Sequence, residues 1–176
     1  MEQARPMLAI LTRFIASMIR NRDMMNELMA QSVIDPLTGA GNRRAFTSYV
    51  RHLPAGKQVA FIFGDMNGLK RINDAQGHEA GDEALCQAVR ILEEKASPGQ
   101  VFRMGGDEFL VVLDSITQEE LEQQMNEYRR KLGAYGLSMA FGGAIRQTPI
   151  ADLDSLLTDV DRAMYKDKKG CSIHRR

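Results

Sequence analysis

The chain has 176 residues, 44% of them hydrophobic, with 23 basic and 23 acidic side chains. It can bury one sizeable core, but it has no net charge to draw it to nucleic acid or to an anionic membrane. Cys86 and Cys171 have neither CxxC nor Cys/His metal spacing, and with no signal peptide visible they fit reduced thiols in a cytoplasmic protein.

Residues 1–34 read as one helix. Met7, Leu11, Phe14, Met18, Asn21, Met25, Leu28 and Ser32 step by four and three, an a/d seam that predicts a coiled-coil dimer with a polar position at Asn21. A helix folded onto its own domain is the alternative, and a second seam through Leu8, Ile15 and Met29 leaves the register open. The most apolar part, MLAILTRFIASMI (7–19), is 13 residues long and contains Arg13, too short and too charged to span a bilayer. A piece cut from a membrane receptor stays open.

Asp35-Pro36, Gly39 and Gly41 break this pattern, and residues 35–176 are expected to form one globular domain. QVAFIFGD (58–65) reads as a buried strand ending in an acid, and NGLKRINDAQG (67–77) as a short helix stopped by Gly77. Leu85, Ala88, Val89 and Leu92 mark the next helix. Two strands follow around Gly105-Gly106. Thr117 and Glu120 form a capping box, opening a helix with Leu121, Met125, Tyr128 and Leu132 on one face. GLSMAFGGAI (136–145) is expected as a strand, DLDSLLTDVDRAMYKDKKG as a helix capped by Gly170, and CSIHR as a closing edge strand. This order suits an α/β fold, an α+β sandwich with a central antiparallel hairpin.

The chemistry concentrates in VFRMGGDEFLVVLD (101–114), where adjacent glycines between apolar runs signal a hairpin tipped by Asp107 and Glu108. Acids in a lone turn serve solubility well enough. Asp65, however, also closes a strand, at the end where α/β sheets bind ligands. If that strand neighbours the hairpin, Asp65 and Asp107 converge with Glu108 nearby. Clustered carboxylates without histidine or cysteine call for Mg²⁺ or Mn²⁺ and point to phosphate chemistry. No P-loop and no GxGxxG opening a helix is present. Lys70, Lys168 and Lys169 are either phosphate binders or solvated surface lysines. Asn73 and Asp82 could read a base, Asp82 by accepting from guanine's ring N–H and amino group; its plain alternative is a first-turn helix acid. His78 reads as structural.

The segments DPLTGAGNRRAF, DMNGLKRINDAQGHEAGDEAL, RMGGDEF and DRAMYKDKKG, in this order, resemble the signature segments of the GGDEF domain of bacterial diguanylate cyclases. The resemblance covers residues 35 to about 173. It implies a mainly antiparallel central sheet with flanking helices, like nucleotidyl cyclases and polymerase palms, preceded by an N-terminal signalling helix. It implies condensation of two GTP into cyclic di-GMP across a homodimer, with two Mg²⁺ or Mn²⁺ ions per active site. By the same resemblance, Asp65, the carbonyl of Met66, Asp107 and Glu108 hold metal, and Glu108 and Asp107 are catalytic. Gly105 and Gly106 let backbone approach the phosphates, Asn73 and Asp82 read guanine, and Lys70 and Lys168 contact the triphosphate.

Two departures stand out. The inhibitory RxxD positions of many members are Ala96, Ser97, Pro98 and Gly99 here, so no inhibitory site is expected. The usual arginine after the late lysine and glycine is missing, leaving Lys169, Arg175 or Arg176 as substitutes. An N-terminal stub of 34 residues is not a sensor, so an upstream sensor domain or a sensory partner is expected. The rival reading is a non-catalytic GTP- or cyclic di-GMP-binding regulatory module. It would predict an altered signature or a retained inhibitory site.

Overall fold

The computed structural model describes residues 13–22, 24, 32–97 and 99–173. The chain divides into two compact units, Met1–Ser32 and Val33–Arg176. In the first, residues 13–22 form a helix (α1), and Phe14, Ile15, Met18 and Ile19 on it are exposed. The seam positions Met7, Leu11, Met25 and Leu28, and the second seam's Leu8 and Met29, lie outside the described residues.

In the second unit, β1 (Gly41–Asn42), α2 (Arg43–Arg51), β2 (Gln58–Met66), α3 (Leu69–Gln76), α4 (His78–Glu93), β3 (Val101–Gly105), β4 (Glu108–Asp114), α5 (Gln118–Ala134), β5 (Met139–Gln147) and α6 (Leu153–Ile173) follow in order. The described strands form one five-stranded sheet, β1-β3-β4-β2-β5. All its pairings are antiparallel except the short β1–β3 contact.

Residues of β2 and β4 alternate between two cores. Ala60, Ile62, Val111 and Leu113 join α4 and α5 through Leu85, Leu92, Leu121 and Leu132. Val59, Phe61, Phe63, Leu110 and Val112 face the opposite way, onto Phe46 of α2 and Leu156 and Val160 of α6. Because helices cover both faces, the strands read as continuous apolar runs instead of alternating ones. The capping box at Thr117–Glu120 forms as expected, and Tyr128 Oη donates to the Leu92 carbonyl at 3.0 Å. Gly77 ends α3 as expected.

The structure corrects the sequence reading at both ends of this unit. The segment after Gly41 holds an unanticipated helix, α2. Asn42 caps it by accepting from the Arg44 and Ala45 N–H groups, both at 3.0 Å, an arrangement worth about 1 kcal/mol. At the other end, Gly170 does not stop α6, which runs on to Ile173, so Cys171–Ile173 is helical and not an edge strand. The outer edge of β5 is met by a side chain instead: Asp167 accepts from the Phe141 N–H at 2.9 Å.

Candidate active site

β2 and β4 are neighbours, and their register sets Asp65 directly opposite Glu108. Cross-strand partners share a face, and by strand alternation this is the face toward α2 and α6. The hairpin closes through Gly106 and Asp107, since Gly105 already pairs with Glu108. Gly106 has φ 47°, a left-handed conformation that a side chain would strain. The Met66 N–H donates to the Asp107 carbonyl at 3.0 Å, which ties the turn to the end of β2. Segments more than forty residues apart in sequence thus meet at one sheet end.

Burial, together with the negative charges of Asp65, Asp107 and Asp161, pushes the Glu108 carboxyl above its ordinary range, while Arg43 pulls it back. Arg43 and Asp161 were not singled out from the sequence. Asn42 as an N-cap was the available signal for the helix that carries Arg43. Of the three acids expected to converge, Asp65 and Glu108 face each other as a cross-strand pair, and Asp107 precedes Glu108 in the turn. Among the described residues no three His, Cys, Asp or Glu side chains form a group that could hold a metal ion. The available donors are nonetheless hard carboxylate oxygens at a site where negative charges oppose Glu108 ionisation. That is the chemistry a divalent cation neutralises, and the donor type of these residues suits one.

A cation already addresses Asp65. Lys168 Nζ, on α6, donates to Asp65 Oδ1 at 2.6 Å. A second unforeseen contact braces the hairpin: Arg103 donates from Nε and Nη2 to the Gly106 carbonyl, at 3.0 and 2.7 Å, and from Nη1 to Asp35 Oδ1 at 3.1 Å. Burial raises the Asp35 carboxyl, but hydrogen bonds from Thr38 and the Arg103 guanidinium outweigh it and hold the group below its usual range.

Asn73 on α3 packs against Gly81 on α4, the residue before Asp82. A Cβ at Gly81 would stand 1.8 Å from Asn73 Oδ1 and would displace that side chain. Asn73 Oδ1 is buried without a hydrogen-bond partner, whereas Asp82 is exposed. An orphaned buried acceptor suits a ligand that brings donors. Lys70 is exposed on the first turn of α3. Ser97, from the segment without RxxD, donates its N–H to Gln100, whose amide in turn reaches Tyr49 and Asp114. The side chains of Lys169, Arg175 and Arg176 and the residue Pro98 lie outside the described residues.

Residues 32–172 match the family model "Diguanylate cyclase, GGDEF domain". The chain is 35% identical to the diguanylate cyclase DgcP of Escherichia coli K12 over 194 aligned positions, covering 96% of this chain and 56% of that protein. It is 34% identical over 140 positions to the probable diguanylate cyclase DgcI of the same organism, covering 78% of this chain and 31% of that one. The chain therefore spans about half or less of these relatives. Among solved structures, a microbial GGDEF domain described for its interaction mode with cyclic di-GMP superposes with a TM-score of 0.70 at 31% identity, covering 80% of this chain and 95% of that one.

Proposed function

The chain belongs to the GGDEF domain family of diguanylate cyclases, and from this premise we propose that it condenses two GTP into cyclic di-GMP with release of two pyrophosphates. The observation that carries the reading is the facing of Asp65 and Glu108 across the β2–β4 ladder, with the signature turn tied to Met66.

In this reading Asp65, the Met66 carbonyl, Asp107 and Glu108 would hold two Mg²⁺ or Mn²⁺ ions. When bound, the ions supply neutralisation of phosphate charge and acidify the attacking hydroxyl. Asn73 and Asp82 accept from guanine and orient the nucleotide. Lys70 and Lys168 pair with the triphosphate, and the backbone at Gly105 and Gly106 approaches it closely. Each 3′-oxygen attacks the α-phosphorus of the other GTP, the bond to pyrophosphate breaks, and Glu108 takes up the hydroxyl proton before passing it to water.

One domain binds one GTP, so ring closure needs two chains facing each other. The N-terminal helix, with Phe14 and Met18 exposed on its described part, would hold them together as a coiled coil and raise the effective concentration of the two half-sites. A sensor domain or separate sensory partner acting on that helix would set the rate, in the cytoplasm where GTP is available.

The test incubates purified protein with GTP and Mg²⁺ over a range of protein concentrations and resolves the nucleotides by chromatography. Cyclic di-GMP is expected, with a rate per chain that rises with protein concentration and vanishes in Asp107→Ala. Nucleotide binding without product, even with Mn²⁺ at the highest concentration, would replace the cyclase by a regulatory binding module.

A further inference from the structure

Lys168 reaches Asp65 from the last part of α6, which is held by β5 on one side and by α5 through Asp167. Asp167, one residue before Lys168, accepts the Phe141 N–H on the free edge of β5. The same Asp167 oxygen lies 3.1 Å from Arg129 Nη2, on α5. Arg129 is in turn steadied by Asn126 Oδ1 at 2.7 Å, and its guanidinium carbon lies 5.6 Å from the centre of the Phe141 ring. The pair is only about 30% exposed, so the interaction is partly shielded from solvent.

The clamp is in register with the site. Phe141 lies opposite Gly64 on β2, and Ala140 opposite Asp65. One residue along β5, Gly142 lets the α6 backbone approach: a Cβ there would stand 2.2 Å from the Met164 nitrogen and 2.3 Å from the Val160 carbonyl oxygen. Val160, Met164 and Asp167 therefore seat α6 against β5 over consecutive turns. Lys168 follows directly, where its amine meets Asp65.

We propose that Arg129 and Asp167 are positioning residues that set Lys168 against Asp65, and, resting on the reading above, thereby present it to the triphosphate of bound GTP. Neither residue touches the nucleotide. Asp167 orients the helix end through the Phe141 N–H, and Arg129 compensates the carboxylate so that it does not pull Lys168 to itself or repel phosphate. A sheet edge that would otherwise need another strand becomes the fixed point for a substrate-binding lysine.

The test compares the full chain with Asp167→Ala, Asp167→Asn and Arg129→Met. Acylation of lysines followed by peptide mass spectrometry, without nucleotide, reads Lys168 directly. Its labelling is expected to rise severalfold in Asp167→Ala and Arg129→Met, and less in Asp167→Asn, which keeps an acceptor for Phe141; Lys57 serves as the unchanged control. GTP affinity is expected to fall about tenfold in Asp167→Ala, the loss of one charge-assisted contact. In a Lys168→Met background, Asp167→Ala should change that affinity by no more than about twofold, because both act through one contact.

Unchanged Lys168 labelling overturns the proposal, as does a full further loss of affinity in the Lys168→Met background, which would mean a general structural role. Raised labelling with unaltered GTP affinity overturns its nucleotide part. Wild-type protein that binds no GTP would sink the functional reading, while the labelling arm would still judge the clamp.

Discussion

Lys168 Nζ stands 2.6 Å from Asp65 Oδ1, so a monovalent ammonium already sits against a carboxylate proposed to hold divalent metal. Lys168→Met is therefore expected to move two affinities in opposite directions. Without nucleotide, Mg²⁺ binding tightens by about two- to fivefold, since the ion pair, solvent-exposed on its Lys168 side, is worth up to ~1 kcal/mol. The KM for GTP rises about tenfold because a charge-assisted phosphate contact is gone. Titration calorimetry and initial rates read the two separately; weaker Mg²⁺ binding would show that Lys168 does not compete with the metal.

Glu108 offers a pH test. Burial and the surrounding carboxylates raise its folded-state value above that of the unfolded chain, so ionising Glu108 opposes folding. The destabilisation is absent at pH below the unfolded value and present once pH rises through the folded one. Glu108→Gln is expected to raise the metal-free melting temperature at pH 7 by about 1–3 °C, and this gain should disappear in acid. Saturating Mg²⁺ should reverse the order at pH 7, because the charged carboxylate binds the cation more strongly than a neutral amide oxygen does. Scanning calorimetry at two pH values checks both signs.

Arg103 spans from the Gly106 carbonyl to Asp35, and no other cation can reproduce that fork. Arg103→Ala is expected to cost about 1–3 kcal/mol of stability by leaving the Asp35 carboxylate short of a partner. The turn should also loosen, lowering kcat more than it raises KM. Arg103→Lys should recover only part of either loss. Denaturant melts and steady-state rates decide; a full rescue by lysine would mean that charge alone matters.

Gly81→Ala separates helix stability from recognition. Alanine favours an α-helix interior by about 1 kcal/mol, so on propensity alone α4 would gain. Its Cβ, however, falls 1.8 Å from Asn73 Oδ1 and must displace that side chain. GTP affinity is expected to drop by about 10-fold or more, the loss of one buried hydrogen bond to the base. Asp82→Ser should instead relax the choice between GTP and ATP. Competition binding with both nucleotides distinguishes these outcomes, and unchanged GTP affinity in Gly81→Ala would remove Asn73 from the base site.

Local features of the sequence determined much of this protein. The glycine pair made the hairpin, the Thr117–Glu120 box opened α5, Gly77 closed α3, and the apolar faces of α4 and α5 were those that became buried. Each depends on interactions within a few residues, which a sequence displays directly. Asp65 and the Asp107–Glu108 pair could be named as a convergent site only on condition that their strands were neighbours. The tertiary structure decided that condition by placing β4 beside β2, where each strand buries both faces between two helical layers. It also decided the Arg103–Asp35 brace and the place of Arg43 and Asp161 near Glu108. Those contacts join residues far apart in the chain. Their partners are chosen by strand order and by where a free edge needs an acceptor, and no short-range pattern encodes either.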